Sequence, residues 1–351
     1  MSIELFLFIL AALFAVLFAW AFRVLPQEHW QIIAAIPLSK TDRGDWQGLN
    51  LTYYGFFQAT SNALAVAIMF VLLGAVGVTA KAVFALIIIL FAVCWPASKL
   101  IARVVEKKKH TFTIGGAIFV GVLIAPWVIE LLNRTMSDAL GGSIPAIPAM
   151  AAAATAYALG EGLGRLACIS FGCCYGKSLD QLSPRLRRLF GSFNFKFAGA
   201  TKKVAYEGLL EGAPVVPVQA ITAVVFLTIA LTGTYLFLKS HFAAAMLLTM
   251  ALTQSWRFVS ETLRADERGK AQVISAYQVM AVLMVIYAVA IVFAFSSAIV
   301  GTIEIKSGLA LLWDPAVLLF CQALWIAIFL ITGRSSVTGA TLAFFVHRDK
   351  I

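Results

Sequence analysis

Nine stretches of about twenty mostly apolar residues constrain this chain more than any other feature, because a helix of that length matches the hydrocarbon core of a bilayer. They fall near residues 3–22, 54–78, 82–102, 112–132, 147–172, 216–238, 242–263, 274–299 and 308–332. Within lipid, every backbone N–H and C=O must be paired inside the segment, so such runs are expected to be helical. The composition agrees: 61% of the 351 residues are hydrophobic and 13% are charged, against roughly 25% charged in soluble domains. The expectation is an all-α polytopic membrane protein of about nine transmembrane helices. A disulfide-stapled secreted fold is excluded, since five Cys in this length is both sparse and odd. The first run carries Glu4 at one end and Arg23-Val-Leu-Pro26 at the other, is longer than a signal-peptide core and precedes no small-residue cleavage site. It is expected to be a retained helix.

Two polar stretches interrupt the pattern. Residues 24–52, with Pro26, Pro37, Gly44 and Gly48, are expected to form an interfacial connector. Residues 175–215 carry Lys177, Arg185, Arg187, Arg188, Lys196, Lys202 and Lys203 against only Asp180, Glu207 and Glu211. They are expected to form a small basic cap domain between the fifth and sixth spans, with 181–190 a short amphipathic helix at the membrane surface. The net charge of +10 sits in loops between spans. That placement suits anionic headgroups rather than nucleic acid, for which no binding module is visible.

Ionisable residues inside a span are costly and tend to be functional. In the fifth span, Gly160-Glu161-Gly-Leu-Gly164-Arg165 puts Glu161 and Arg165 at i and i+4, one helix face. In the seventh, Arg257, Glu261 and Arg264 share a face with Gln254, and Asp266, Glu267 and Arg268 follow at the exit. These groups read either as ion pairs stapling helices or as an anion site. Three arginines against two carboxylates leave excess positive charge, which a phosphate would balance and a guanidinium fork would hold. Cys168, Cys173 and Cys174 form a third cluster. Their spacing is not a zinc pattern, neighbouring cysteines rarely both chelate, and no histidine is near, so no metal is expected. They read as small packing residues or as lining of a substrate site. Cys94 and Cys321 read as packing, His110 after Lys107-Lys-Lys109 as interfacial, and His29, His241 and His347 lie outside any cluster.

These motifs resemble the prolipoprotein diacylglyceryl transferases of bacterial inner membranes. Members move the diacylglyceryl group of phosphatidylglycerol to a cysteine of a lipoprotein precursor, and glycerol phosphate leaves. Gly164-Arg165-Leu-Ala-Cys168-Ile-Ser-Phe-Gly172-Cys-Cys-Tyr-Gly176 matches the family signature in its Gly-Arg opening and later glycines. Arg257 to Gly269 matches its second Arg/Glu/Arg element, while Tyr54-Gly55, Gly115-Gly116 and Pro217-Val-Gln219 match shorter motifs in the same order. The resemblance covers residues 53–299, leaving residues 1–52 and 300–351 as an extra helix and connector at one end and an extra helix and tail at the other. It departs from the family at Ile114, Cys168, Cys173 and Val216, where the family has His, Asn, Glu and His.

The resemblance implies a membrane transferase with an anionic phospholipid donor, no cofactor and a multi-pass inner-membrane location. The acceptor stays open between a lipoprotein cysteine and a small or lipid acceptor. Arg165 and Arg257 would stabilise charge on the leaving phosphate, and Glu261 would orient Arg257 or Arg264. Tyr54, Gly55, Gly115, Gly116, Glu161, Cys168, Cys173, Gly176, Gln219 and Arg264 would line the substrate site. A cysteine of the chain itself is excluded as an alkyl carrier, because a thioether is a poor leaving group. Transfer of the phosphorylated headgroup, or anionic-lipid binding or transport without chemistry, are the alternatives. The family faces its site outward, whereas loop charges here place nearly all Lys and Arg on the side of the site. The loop-charge bias is given more weight, which puts that side in the cytoplasm.

Overall fold

The computed structural model describes residues 2–107, 113–266, 274–295 and 301–351. Helix α1 (Ile3–Val24), capped by Ser2, leads into a hairpin of β1 (Ile32–Lys40) and β2 (Trp46–Thr52). Then follow α2 (Tyr53–Ala75), α3 (Ala80–Ile101), α4 (Ile114–Leu140) and α5 (Ala146–Phe171). The segment after α5 holds only short elements: α6 (Pro184–Phe190), β3 (Phe195–Lys196), α7 (Lys203–Tyr206) and β4 (Pro214–Val215). The chain returns to long helices with α8 (Val218–Leu238), α9 (Phe242–Leu263) and α10 (Ala276–Ala294). It ends in α11 (Ile305–Leu312), α12 (Pro315–Thr332) and β5 (Arg334–Leu342).

Among the described residues, seven helices are long and apolar enough to cross a membrane: α1, α2, α3, α4, α8, α10 and α12. The other two expected spans, 147–172 and 242–263, are helices of comparable length, α5 and α9. They fall short in hydropathy because they carry Glu161 and Arg165, and Gln254, Arg257 and Glu261. The expected span 308–332 is divided, since Asp314 caps a new helix and Pro315 opens it, leaving α11 as a separate helix of about two turns packed on α2.

Helix α5 lies at the centre. Its small residues allow the close approach that packs helices where lipid provides no hydrophobic drive between them. Gly160 and Gly164 face Ala65 and Ser61 of α2, and Gly162 faces Ala223 and Phe226 of α8. Ala149, Ala151, Ala152, Ala158 and Ala167 are fully enclosed. The glycines around Glu161 therefore admit neighbouring helices.

The all-α expectation is corrected by a three-stranded antiparallel sheet in the order β1-β2-β5. The expected connector at 24–52 supplies two strands and the expected tail supplies the third, with Trp46 opposite Leu342 and Leu51 opposite Arg334. Thr52 fastens the junction, its backbone N–H and hydroxyl both donating to Gly333 O at 2.9 and 3.1 Å. Gly55 sits against the same place: a Cβ there would come within 2.1 Å of Gly333 Cα. The two segments beyond the family resemblance are thus built onto each other, and Trp325 Nε1 on α12 donates to Thr60 on α2 at 3.0 Å. The strands escaped notice because β1, Ile-Ile-Ala-Ala-Ile-Pro-Leu-Ser-Lys, is mostly exposed and has no two-residue alternation to signal it.

The segment between α5 and α8 is pinned to the end of α1 and to the hairpin. Gln31 Nε2 donates to the Thr201 carbonyl and the Thr201 hydroxyl donates to Gln31 Oε1, both at 2.8 Å, and Ala198 N–H donates to Pro26 O. Lys202 is fully buried and donates to Leu25 O at 3.2 Å and Ser170 O at 2.6 Å, joining the ends of α1 and α5. Burial pushes its ammonium down from 10.5 to about 8, opposed by the Glu28 carboxylate. Between these values the unfolded chain binds more protons than the folded one. Stability from this group is therefore fully present above 10.5 and is lost as pH falls toward about 8. The thermal midpoint in detergent is expected to rise with pH across that window, by at most about 1.4 kcal/mol per pH unit. Lys202→Met should flatten the rise relative to wild type, and parallel profiles for the two proteins would refute it.

Candidate functional site

Tyr157, Glu161 and Arg165 recur every four residues, so α5 presents them on one face. Arg165 Nη2 donates to Glu161 Oε1. Arg257 approaches the same oxygen from α9, its Nη1 at 4.0 Å, and donates to the Tyr157 hydroxyl at 3.2 Å. Gln254, one turn earlier on α9, donates to that hydroxyl at 3.4 Å. Guanidinium groups from two helices thus converge on one carboxylate oxygen. The Glu161 side chain is 1% exposed, Arg165 11% and Arg257 14%. Among these three side chains two cations face one anion. Glu161 Oε2, Arg165 Nε and Gln254 Oε1 are buried with no hydrogen-bond partner among the described residues. Buried polar atoms are normally satisfied, so such a concentration marks a place built for something polar.

Gly115 opens α4 directly against this cluster: a Cβ there would lie 2.5 Å from Arg257 Nη2 and 3.1 Å from the Tyr277 ring. The atom met is the far end of a flexible side chain, so Gly115→Ala is expected to displace the guanidinium with little effect on folding. A shift of about 1 Å at such a group costs on the order of 10²-fold in rate. A fall of that size in turnover, at an unchanged melting temperature, checks the assignment; full activity would contradict it.

A second cluster adjoins the first where α5 ends. Gly172, at φ 72°, closes the helix in the left-handed conformation, and Cys173 N–H returns to Cys168 O at 3.1 Å. Cys174 also adopts left-handed backbone, at φ 56°. The chain then pairs with the end of α9 and with the approach to α8. Lys177 N–H donates to Leu263 O, Ala265 N–H to Tyr175 O and Val216 N–H to Lys177 O, with Gly176 opposite Arg264. Only glycine fits at 176, where a Cβ would come 2.4 Å from Val216 O. Gln219 Nε2 donates to Cys173 O at 2.8 Å. The Cys168, Cys173 and Cys174 sulfurs all lie within 4.8 Å of one another. Hydrogen bonds with the Cys168 and Cys173 thiols hold Cys174 well below the usual thiol range, and those with the Cys168 and Cys174 thiols push Cys173 up. Arg264 forks onto Asp266 with two bonds of 2.7 Å. Tyr54 stacks edge-on against Phe171 at 5.6 Å, and Arg165, Cys168, Cys173 and Cys174 all lie within its electrostatic reach.

Of the residues expected from sequence, Arg165, Arg257, Glu161 and Gly115 meet in the first cluster. Tyr54, Cys168, Cys173, Gly176, Gln219 and Arg264 surround the second, and the charge of Arg165 reaches both. Glu261 acts on Arg264, while Arg257 is held by Glu161 and Tyr157. Gly55 packs on Gly333, and Gly116 packs on Ile101 and Thr113, where a Cβ would come within 2.7 Å. Lys108, Lys109, His110, Glu267, Arg268 and Gly269 lie outside the described residues. Tyr157 was missed, although its place one turn before Glu161 was legible. The pairing of Arg264 with Asp266 was not, because it depends on the chain bending at the end of α9.

An apolar groove of about 450 Å³ runs between α8 and α9, lined by Val224, Thr228, Leu252, Trp256 and Val259 among others.

Comparison with known proteins bears on all of this. A family model described as prolipoprotein diacylglyceryl transferase matches residues 45–294, most of the chain. No curated protein matches it.

Proposed function

The chain belongs to the prolipoprotein diacylglyceryl transferase family, and on that premise we propose that this membrane transferase takes phosphatidylglycerol or a similar anionic phospholipid as donor. The observation that carries the reading is the meeting of Arg165 and Arg257 at one buried point, with two cations facing one anion and unsatisfied polar atoms around it. A phosphate diester supplies the missing anion, and guanidinium forks bind its oxygens in pairs.

The reaction is displacement at the glycerol carbon that bears the phosphate. The bond from the acceptor forms, the carbon–oxygen bond breaks, and glycerol phosphate leaves with the electron pair. Negative charge gathers on the leaving oxygens. Fixed guanidiniums in a dry site stabilise that charge without reorganising at the moment of reaction. Glu161 holds both arginines in place before the lipid arrives, and Tyr157 fixes the direction of Arg257. The groove between α8 and α9, the helix that carries Arg257, offers an apolar bed for acyl chains.

In this reading α5 and α9 cross the membrane with the seven more apolar helices. The segment 175–215 caps the site at the end that also carries the β1-β2-β5 sheet. That end faces the cytoplasm, by the bias of Lys and Arg toward cytoplasmic loops. The opposite end carries Lys81, Arg134, Lys239 and Lys306, and two of these are neutralised by Glu130 and Glu4. A cytoplasmic site favours a small or lipid acceptor over an exported precursor. The test is purified protein given headgroup-labelled phosphatidylglycerol, with total membranes as the source of acceptor. Release of labelled glycerol phosphate supports diacylglyceryl transfer. Label appearing on the acceptor, or lipid bound but unchanged, refutes it.

A further inference from the structure

We propose that Cys168, Cys173 and Cys174 form a thiolate site for a single zinc ion. Sequence spacing argued against this, because side chains of neighbouring residues normally diverge. The backbone removes that objection. Cys174 takes the left-handed conformation at φ 56° immediately after Cys173, and the Gly172 cap at φ 72° turns Cys173 back over the last turn of α5, where Cys168 stands. Three sulfurs from the stretch Cys168 to Cys174 therefore gather within 4.8 Å of one another. Sulfurs sharing a tetrahedral zinc at about 2.3 Å would lie roughly 3.8 Å apart, which needs rotation of side chains and no movement of helices. A non-glycine residue in left-handed backbone carries a cost of about 1–2 kcal/mol and persists where the surroundings require it. Here its result is the meeting of the thiols.

The donor set selects the metal class. Thiolates are soft ligands that favour zinc or copper(I) over magnesium or calcium. Three thiolates and Zn²⁺ carry a net charge of −1, and the guanidiniums of Arg264 and Arg165 lie within electrostatic reach of Cys174 to offset it. Zinc sites with three protein ligands leave a fourth position to a water or a substrate donor. The cage is anchored independently of the arginine cluster, because Gln219 holds Cys173 O and the Gly176–Arg264 pairing fixes the loop beyond.

The test is metal analysis of the full-length protein, purified in mild detergent from cells grown with zinc and, separately, with cobalt. Wild type is expected to retain about one zinc per chain. The cobalt form should show thiolate-to-cobalt charge transfer and the intense visible bands of a tetrahedral site. Cys173→Ser and Cys174→Ser should each lower metal content at least tenfold, at unchanged elution on gel filtration, whereas Cys94→Ser and Cys321→Ser should retain it. Copper in place of zinc with the same variant pattern overturns the choice of ion. Metal far below one per chain in wild type, or content indifferent to Cys173 and Cys174, overturns the site. Arg257→Ala should keep its metal, so failure here and failure of the transferase reading are separable.

Discussion

Replacing Arg257 with alanine is expected to reduce glycerol phosphate release from phosphatidylglycerol by about 10²–10³-fold, the usual consequence of removing one donor aimed at developing negative charge. The side chain touches three things that fix its direction: Glu161 at 4.0 Å, the Tyr157 hydroxyl at 3.2 Å and the bare backbone of Gly115. That degree of positioning is more than an ion pair needs. Arg257→Lys keeps the charge but loses the planar fork, so it should recover only part of the activity. Folding should survive either change, because Glu161 keeps its bond from Arg165. Rates measured on detergent-purified variants at matched melting temperature decide it. Near-wild-type turnover in Arg257→Ala would remove the arginine from the reaction.

Glu161→Gln should have the largest effect on stability. Its carboxylate is the counter-ion of both guanidiniums and is 1% exposed. Neutralising it leaves two buried cations beside an amide, and breaking a buried pair from one side costs about 3–5 kcal/mol. A marked fall in the thermal midpoint follows. The variant also gains an identifying response: phosphatidylglycerol should raise its midpoint more than it raises that of wild type, because the bound phosphate replaces the missing charge. Phosphatidylcholine should not match it. An unchanged midpoint in Glu161→Gln, or equal rescue by both lipids, would mean that the arginines are not organised around an anion.

The helices were legible because the bilayer imposes their length: among the described residues seven helices are long and apolar enough to cross it, and two more of comparable length, α5 and α9, fall where spans were expected. The charged clusters were legible for a related reason. A residue such as Glu161 stands out in an apolar run, and its four-residue spacing to Arg165 already places both on one face. What could not be seen was contact between segments far apart in the chain. Nothing in the exposed, irregular strand at 32–40 predicts its sheet, and nothing in 333–342 predicts that it joins the same sheet. The span at 308–332 read as one helix because hydropathy passes over Asp314, where capping chemistry divides it. The gathering of the three cysteine sulfurs could not be read from their spacing, because the loop takes left-handed backbone at Gly172 and Cys174. Spacing rules fail where the backbone leaves its usual basins, and such places are where function concentrates.

The central claim is that Arg165 and Arg257 hold one lipid phosphate between them. Solid-state magnetic resonance can measure it directly, through phosphorus-to-nitrogen dipolar coupling between phosphatidylglycerol and protein labelled with ¹⁵N at its arginine side chains. The account predicts a bound phosphorus resonance dephased by two guanidiniums, reduced to the contribution of one in Arg165→Lys and in Arg257→Lys alike. A bound lipid whose phosphorus shows no coupling to arginine nitrogen, or whose coupling is indifferent to both substitutions, would contradict it.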